Sequence, residues 1–161
     1  ALNGHLVYST LHTNSAVATI ARLFDLGLKP YVVATALEGI IAQRLVRSVC
    51  PNCSQPAAPD PAVISRLGTV FADIGEIRRG RGCDACHGSG YKGRVGIYEI
   101  LTLDDPLRDC IGSGASVLEI SRQARQRGLR SIVHHAFERV QAGATTPDEI
   151  LRVLGPMTGE Y

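Results

Sequence analysis

The sequence predicts an α/β fold interrupted by a tetracysteine module and followed by an α-helical bundle. Three observations carry this expectation: a strand-forming stretch that runs straight into helical periodicity near the N-terminus, two Cys-x-x-Cys pairs, and two capping-box spacings near the C-terminus. With 161 residues, 45% of them hydrophobic, the chain can bury a real core. Lys and Arg total 17 against 15 for Asp and Glu. A net charge of +2 lacks the basic excess of an electrostatically driven nucleic-acid binder, so no nucleic-acid partner is expected.

His5 to Leu11 is short and rich in strand formers, and Asn14 reads as the N-cap of a following helix. Ala16, Val17, Ile20, Leu23 and Phe24 recur at helical spacing; Gly27 then acts as a stop and Pro30 opens a second helix in its first turn. That helix should end near Gly39. Ile40, Ile41, Ala42, Leu45, Val46 and Val49 form an apolar stretch assigned to one or two strands that deliver the chain to Cys50. Ala1-Leu2-Asn3-Gly4-His5 carries no feature of a signal peptide and reads as an internal cut in a longer protein. Apolar runs are broken by Glu38 and by Gln43 and Arg44 before reaching membrane-spanning length.

Between Cys53 and Cys83 the composition shifts to Pro56, Pro59 and Pro61, a short helix ended by Gly68, and the basic run Arg78 to Gly82. The chain reads as leaving the main domain here and returning through Gly88, Gly90, Gly93 and Gly96 to a strand at Ile97–Leu101. Ser116 with Glu119, and Thr146 with Glu149, have capping-box spacing, and Pro147 sits at a first helical position. Between them Val133, Ala136, Phe137 and Val140 give one apolar helical face bounded by Ser131 and Gly143.

Cys50-Pro51-Asn52-Cys53 and Cys83-Asp84-Ala85-Cys86 are separated by 29 residues. Each pair can turn both sulfurs toward one ion, and four thiolates complete the tetrahedron of a structural zinc with no position left for a catalytic water. A disulfide, a redox Cys-x-x-Cys and an iron–sulfur cluster are the alternatives; two matched pairs argue against a single redox motif. His87 is expected beside the site and Cys110 as a small buried hydrophobe. Five cysteines used this way suit a reducing compartment, with cytoplasm as the default. Cys83 to Gly90 also fits one copy of the Cys-x-x-Cys-x-Gly-x-Gly repeat of J-protein chaperones, which use several. Arg78, Arg79, Arg81, Lys92 and Arg94 lend some support to a zinc ribbon for nucleic acid, without an aromatic platform beyond Tyr91. An autonomous zinc-binding interaction module, for nucleic acid or protein, is the second functional reading.

Taken together, Gly4-His5-Leu6-Val7-Tyr8-Ser9-Thr10-Leu11-His12-Thr13-Asn14, then Ala42-Gln43-Arg44-Leu45-Val46-Arg47, the two cysteine pairs, and Gly90-Tyr91-Lys92-Gly93-Arg94-Val95-Gly96-Ile97-Tyr98-Glu99 resemble the type II secretion and type IV pilus assembly ATPases. The motifs cover essentially the whole chain in the family's order, and the compact stretch between the cysteine pairs is more similar to the secretion branch. The resemblance implies the C-terminal part of a RecA-like P-loop ATPase domain, with residues 1–49 in the nucleotide-binding domain, 50–86 as the zinc insert, 87–103 as a return strand and 104–161 as a helical region. It implies a cytoplasmic homo-hexamer that powers pseudopilus assembly and protein export by ATP hydrolysis, held at the inner membrane by secretion or pilus platform proteins, with ATP and Mg2+ in the full-length protein.

The family's Gly-x-x-x-x-Gly-Lys-Ser/Thr loop is absent, since neither Lys29 nor Lys92 follows a glycine; by the same resemblance the catalytic glutamate and magnesium carboxylates would lie upstream. Residues 1–161 alone are therefore expected not to hydrolyse ATP. The first motif resembles the family's histidine box, which implies that His12, just past a strand end, sits near the γ-phosphate with His5 acting beside it. Without the resemblance, two histidines satisfied by backbone partners would be an equal reading. Arg94 matches a family arginine close to adenine, and Gln43 and Arg44 belong to a motif near the same pocket.

Overall fold

A computed structural model describes residues 4–157. The expected first strand is not formed. Leu6, Val7 and Tyr8 are 73, 61 and 87% exposed, and no strand among the described residues pairs with them. Strand-forming side chains alone do not make a strand, because its backbone groups gain over water only against a partner's ladder. The first helix, α1 (Ala16–Asp25), is capped one residue later than expected: Ser15, not Asn14, accepts the Ala18 N–H at 3.1 Å. Gly27 follows with φ +87°, the left-handed geometry that ends a helix readily only at glycine.

Pro30 opens α2 (Pro30–Ala36) as expected, and the apolar stretch after it is one strand, β1 (Gly39–Val49). Its alternation buries Ile40, Ala42 and Val46 and exposes Ile41 and Leu45. The chain continues through β2 (Ser54–Ala57), α3 (Pro61–Leu67), a 3-10 turn at Thr69–Phe71, β3 (Ile77–Gly80) and a second 3-10 turn at Asp84–Cys86. Next comes β4 (Tyr91–Thr102), which starts at Tyr91 rather than Ile97 and pairs with β1. Four helices follow: α4 (Asp105–Gly112), α5 (Val117–Gln126), α6 (Ile132–Gln141) and α7 (Pro147–Leu154).

Two compact units result, and the division falls inside β1 and β4. The first unit takes the chain up to Ala42 together with Glu99–Arg130. Ala16, Val17 and Ile20 of α1, Val33 of α2, Leu107 and Ile111 of α4 and Ile120 of α5 make its core. Arg108 donates to the Ala34 and Leu37 carbonyls at 2.7 and 2.8 Å, satisfying the C-terminal end of α2.

The second unit takes Gln43–Tyr98 together with the chain from Ser131 onward. Its core joins Val46 and Ile97 to Leu67, Phe71, Ile74 and Ile77 and to Val133, Ala136, Val140 and Ile150. The stretch between the cysteine pairs is thus no excursion from a domain; it supplies a large part of this core. Leu67, Phe71 and Ile77 are essentially unexposed, each such burial contributing roughly 1.5–3 kcal/mol. Residues 104–161, grouped by sequence as one helical region, divide likewise: α4 and α5 pack in the first unit, α6 and α7 in the second. Both capping boxes are half formed. Ser116 and Thr146 accept the N–H of Glu119 and Glu149, but the two glutamates turn to arginines instead of reaching back.

Candidate metal centre

β2 and β3 pair antiparallel from Ser54 with Gly80 to Ala57 with Ile77. The ladder begins one residue after Cys53 and ends shortly before Cys83, so a short two-stranded ribbon brings the two cysteine pairs to one place. The Cys53 carbonyl accepts the Arg81 N–H at 3.1 Å and the Gly90 carbonyl accepts the Cys50 N–H at 2.9 Å, tying each pair to the other's flank.

The second pair sits on the Asp84–Cys86 turn, where the Cys83 carbonyl accepts the N–H of Cys86 and of Gly88 at 3.2 and 3.0 Å. His87, Gly88 and Gly90 follow with φ of +50°, +75° and +75°. Gly90 has a second reason to be glycine: an added Cβ would lie 2.5 Å from the Gly80 carbonyl oxygen, and one on Gly80 would lie 2.1 Å from that of Gly90. The backbones touch where β3 meets the loop after the second pair.

The four Sγ atoms all lie within 4.8 Å of one another. Cys50 and Cys83 are 3.9 Å apart, Cys53 and Cys86 3.9 Å, and Cys83 and Cys86 3.7 Å. A tetrahedron with Zn–S bonds of about 2.3 Å has edges of about 3.8 Å, whereas a disulfide needs about 2.04 Å. All four thiols are free and three are buried. The residues therefore fit a four-coordinate zinc with no open position. His87 is exposed and outside the cluster, as expected.

The environment splits the thiols electrostatically. Burial pushes Cys53 up to about 11. Burial acts the same way on Cys86, but N–H groups of Cys83 and Gly90, at 3.2 and 3.3 Å from its sulfur, hold it down to about 6. Two members of the basic cluster are engaged internally: Arg78 donates to Ser54 Oγ and the Ser54 carbonyl at 3.0 and 2.9 Å, and Arg79 pairs with Asp148.

The residues matched to nucleotide contacts lie elsewhere. His5 and His12 are exposed on the irregular segment of the first unit. Gln43 and Arg44 on β1 and Arg94 on β4 belong to the second unit. Gln43 Nε2 donates to the Tyr98 hydroxyl at 3.4 Å, and Arg44 Nη1 to the Gln43 carbonyl at 2.8 Å. Cys110 is partly buried, and burial raises its thiol.

Compared with known proteins, the chain matches the family profile described as type II/IV secretion system protein over residues 1–152. The chain belongs to that family. Secretion-family relatives include the type II secretion system protein E of Pseudomonas aeruginosa, 45% identical over 94% of this chain and 30% of the relative. The type IV pilus assembly ATPase PilB of Thermus thermophilus is 43% identical over 94% of this chain and 17% of its own length. The type IV pilus assembly ATPase TfpB of Acinetobacter baylyi is 39% identical over 98% of this chain and 27% of its own. The chain thus spans less than a third of these secretion and pilus relatives.

Sequence reading of this family member singled out the four cysteines that cluster, but not the long-range bonds that build the two units. The Arg47–Glu149 and Ala16–Glu99 bonds join residues 102 and 83 apart in sequence, and only the glycine clustering hinted at the Gly80–Gly90 contact.

Proposed function

We propose that this chain is the C-terminal part of a hexameric cytoplasmic ATPase whose nucleotide-driven movement powers pseudopilus or pilus assembly at inner-membrane platform proteins. The match to the secretion family over residues 1–152 carries the reading. In the full-length protein ATP and Mg2+ would be held by the phosphate-binding loop and carboxylates that this sequence lacks, so residues 1–161 alone would not turn over. His12, exposed and next to the start of α1, would contact the γ-phosphate with His5 in support; Arg94, Gln43 and Arg44 would flank the base.

In this reading zinc has no part in hydrolysis. It would cross-link the ends of the β2–β3 ribbon and so stiffen the second unit, as four clustered sulfurs, three of them buried, with no open coordination position support. The relatives named for secretion and those named for pilus assembly are similarly identical to the chain, so the reading covers both branches.

The test is His12→Ala in the full-length protein. ATP turnover should fall at least about tenfold with nucleotide affinity changed less than about twofold, because the contact forms with the reacting phosphate. Unchanged turnover would defeat the γ-phosphate role.

A further inference from the structure

Glu99 belongs to the first unit and is only 6% exposed, a place where a carboxylate needs a reason to be. One reason is Ala16: its N–H donates to Glu99 Oε1 at 2.7 Å, across 83 residues of sequence. Ala16 is the first residue of α1, and its N–H is among the four that the helix itself cannot satisfy. Ser15 already serves the Ala18 N–H, so Glu99 takes a separate donor and places its charge against the positive end of the helix.

The residues just before α1 are also pinned. Thr13 Oγ1 meets Thr19 Oγ1 at 2.7 Å and donates to the Ser15 carbonyl at 3.4 Å, folding the chain back on the first turn. His12 precedes this knot. Its side chain is exposed and makes no hydrogen bond among the described residues, so its imidazole is free for a ligand while the backbone beside it is fixed. We infer that Glu99 is a positioning residue for His12, holding the start of α1 so that the histidine meets the nucleotide's terminal phosphate in one orientation. The inference rests on the γ-phosphate reading of His12 given above. It assigns work to a buried acid at the end of β4 that neither spacing nor exposure marked as part of a nucleotide site.

Turnover, nucleotide affinity and melting temperature of the full-length protein test it in His12→Ala, Glu99→Ala, Glu99→Gln and the double variant His12→Ala/Glu99→Ala. Glu99→Ala should lower kcat at least about tenfold with nucleotide Kd within about twofold, since a misplaced group loses rate before binding. Glu99→Gln, whose amide oxygen can accept the same N–H, should recover most of the rate. Adding Glu99→Ala to His12→Ala should change kcat no further, because one effect runs through the other. If Glu99→Ala does not fold, Glu99→Asp, one methylene short of Ala16, should show the same kcat loss.

Wild-type kcat in Glu99→Ala, or in Glu99→Asp where that variant carries the test, overturns the inference. Losses that multiply in the double variant, or no recovery in Glu99→Gln, overturn it as well. Wild-type turnover in His12→Ala is a different failure, since it removes the histidine reading itself.

Discussion

Arg47 and Glu149, 102 residues apart, are joined by three hydrogen bonds: the Arg47 N–H reaches Oε1 at 2.8 Å, and its Nε and Nη2 reach Oε2 at 2.9 and 2.7 Å. Glu149 has no solvent exposure, and Arg152 adds two more donors at 2.7 Å. The Arg47 guanidinium also lies 4.2 Å over the Tyr91 ring, whose hydroxyl meets Thr146 Oγ1 at 2.6 Å. One carboxylate therefore fastens α7 to β1 beside the start of β4.

Removing that carboxylate should be costly even though both arginines reach water. Glu149→Ala leaves the part-buried Arg47 N–H unpaired and empties a filled space, so stability should fall by about 3 kcal/mol, the low end for a broken buried pair. Denaturant unfolding of the zinc-loaded protein measures it; a loss under about 1 kcal/mol would show that the network is idle.

Acid should find the same group. Burial works to raise Glu149, but bonds from Arg152 and Arg47 hold it down to about 2, from an ordinary 4.5. A depressed folded value stabilises fully above pH 4.5 and is lost as pH falls toward 2, on the order of 3 kcal/mol. Glu119, lowered by its bond to Arg122, acts in the same direction. Melting temperature should drop steeply through this window, and the slope should flatten in Glu149→Gln; parallel slopes would assign the acid loss to other groups.

Gly90→Ala should loosen the metal. The new methyl meets the Gly80 carbonyl, and Gly90 supplies both the N–H to Cys86 Sγ and the carbonyl that accepts from Cys50. Orienting groups around a metal typically carry 10–100-fold in affinity, so competition with a chromogenic chelator should show at least about a tenfold weaker site. Gly93→Ala, with open space at the Cβ but φ +80°, is the comparison variant for backbone strain alone.

Local signals were readable where one stretch of chain decides the outcome. The helix stops at Gly27 and Gly68, Pro30 and Pro147 at first helical positions, the α6 face and the four cysteines all follow from nearby residues. What failed depended on partners. His5–Leu11 has strand composition but no strand beside it among the described residues, and Glu149 has capping-box spacing but two arginines that outbid a backbone N–H. The segment between the cysteine pairs looked detached because Pro56, Pro59 and Pro61 and the basic Gly-rich run Arg78 to Gly82 mark its two ends. Its buried apolar residues, Leu67, Phe71, Ile74 and Ile77, are what place it in the core.

The central claim is a zinc held by Cys50, Cys53, Cys83 and Cys86. X-ray absorption at the zinc edge, together with metal content per chain, tests it most directly. The expected result is one zinc per chain surrounded by four sulfurs at about 2.3 Å, lost together with the protection of β2 and β3 amides from hydrogen exchange when a chelator strips the metal. Nitrogen or oxygen in the first coordination sphere, or a metal-free protein with the ribbon still fully protected, would contradict it.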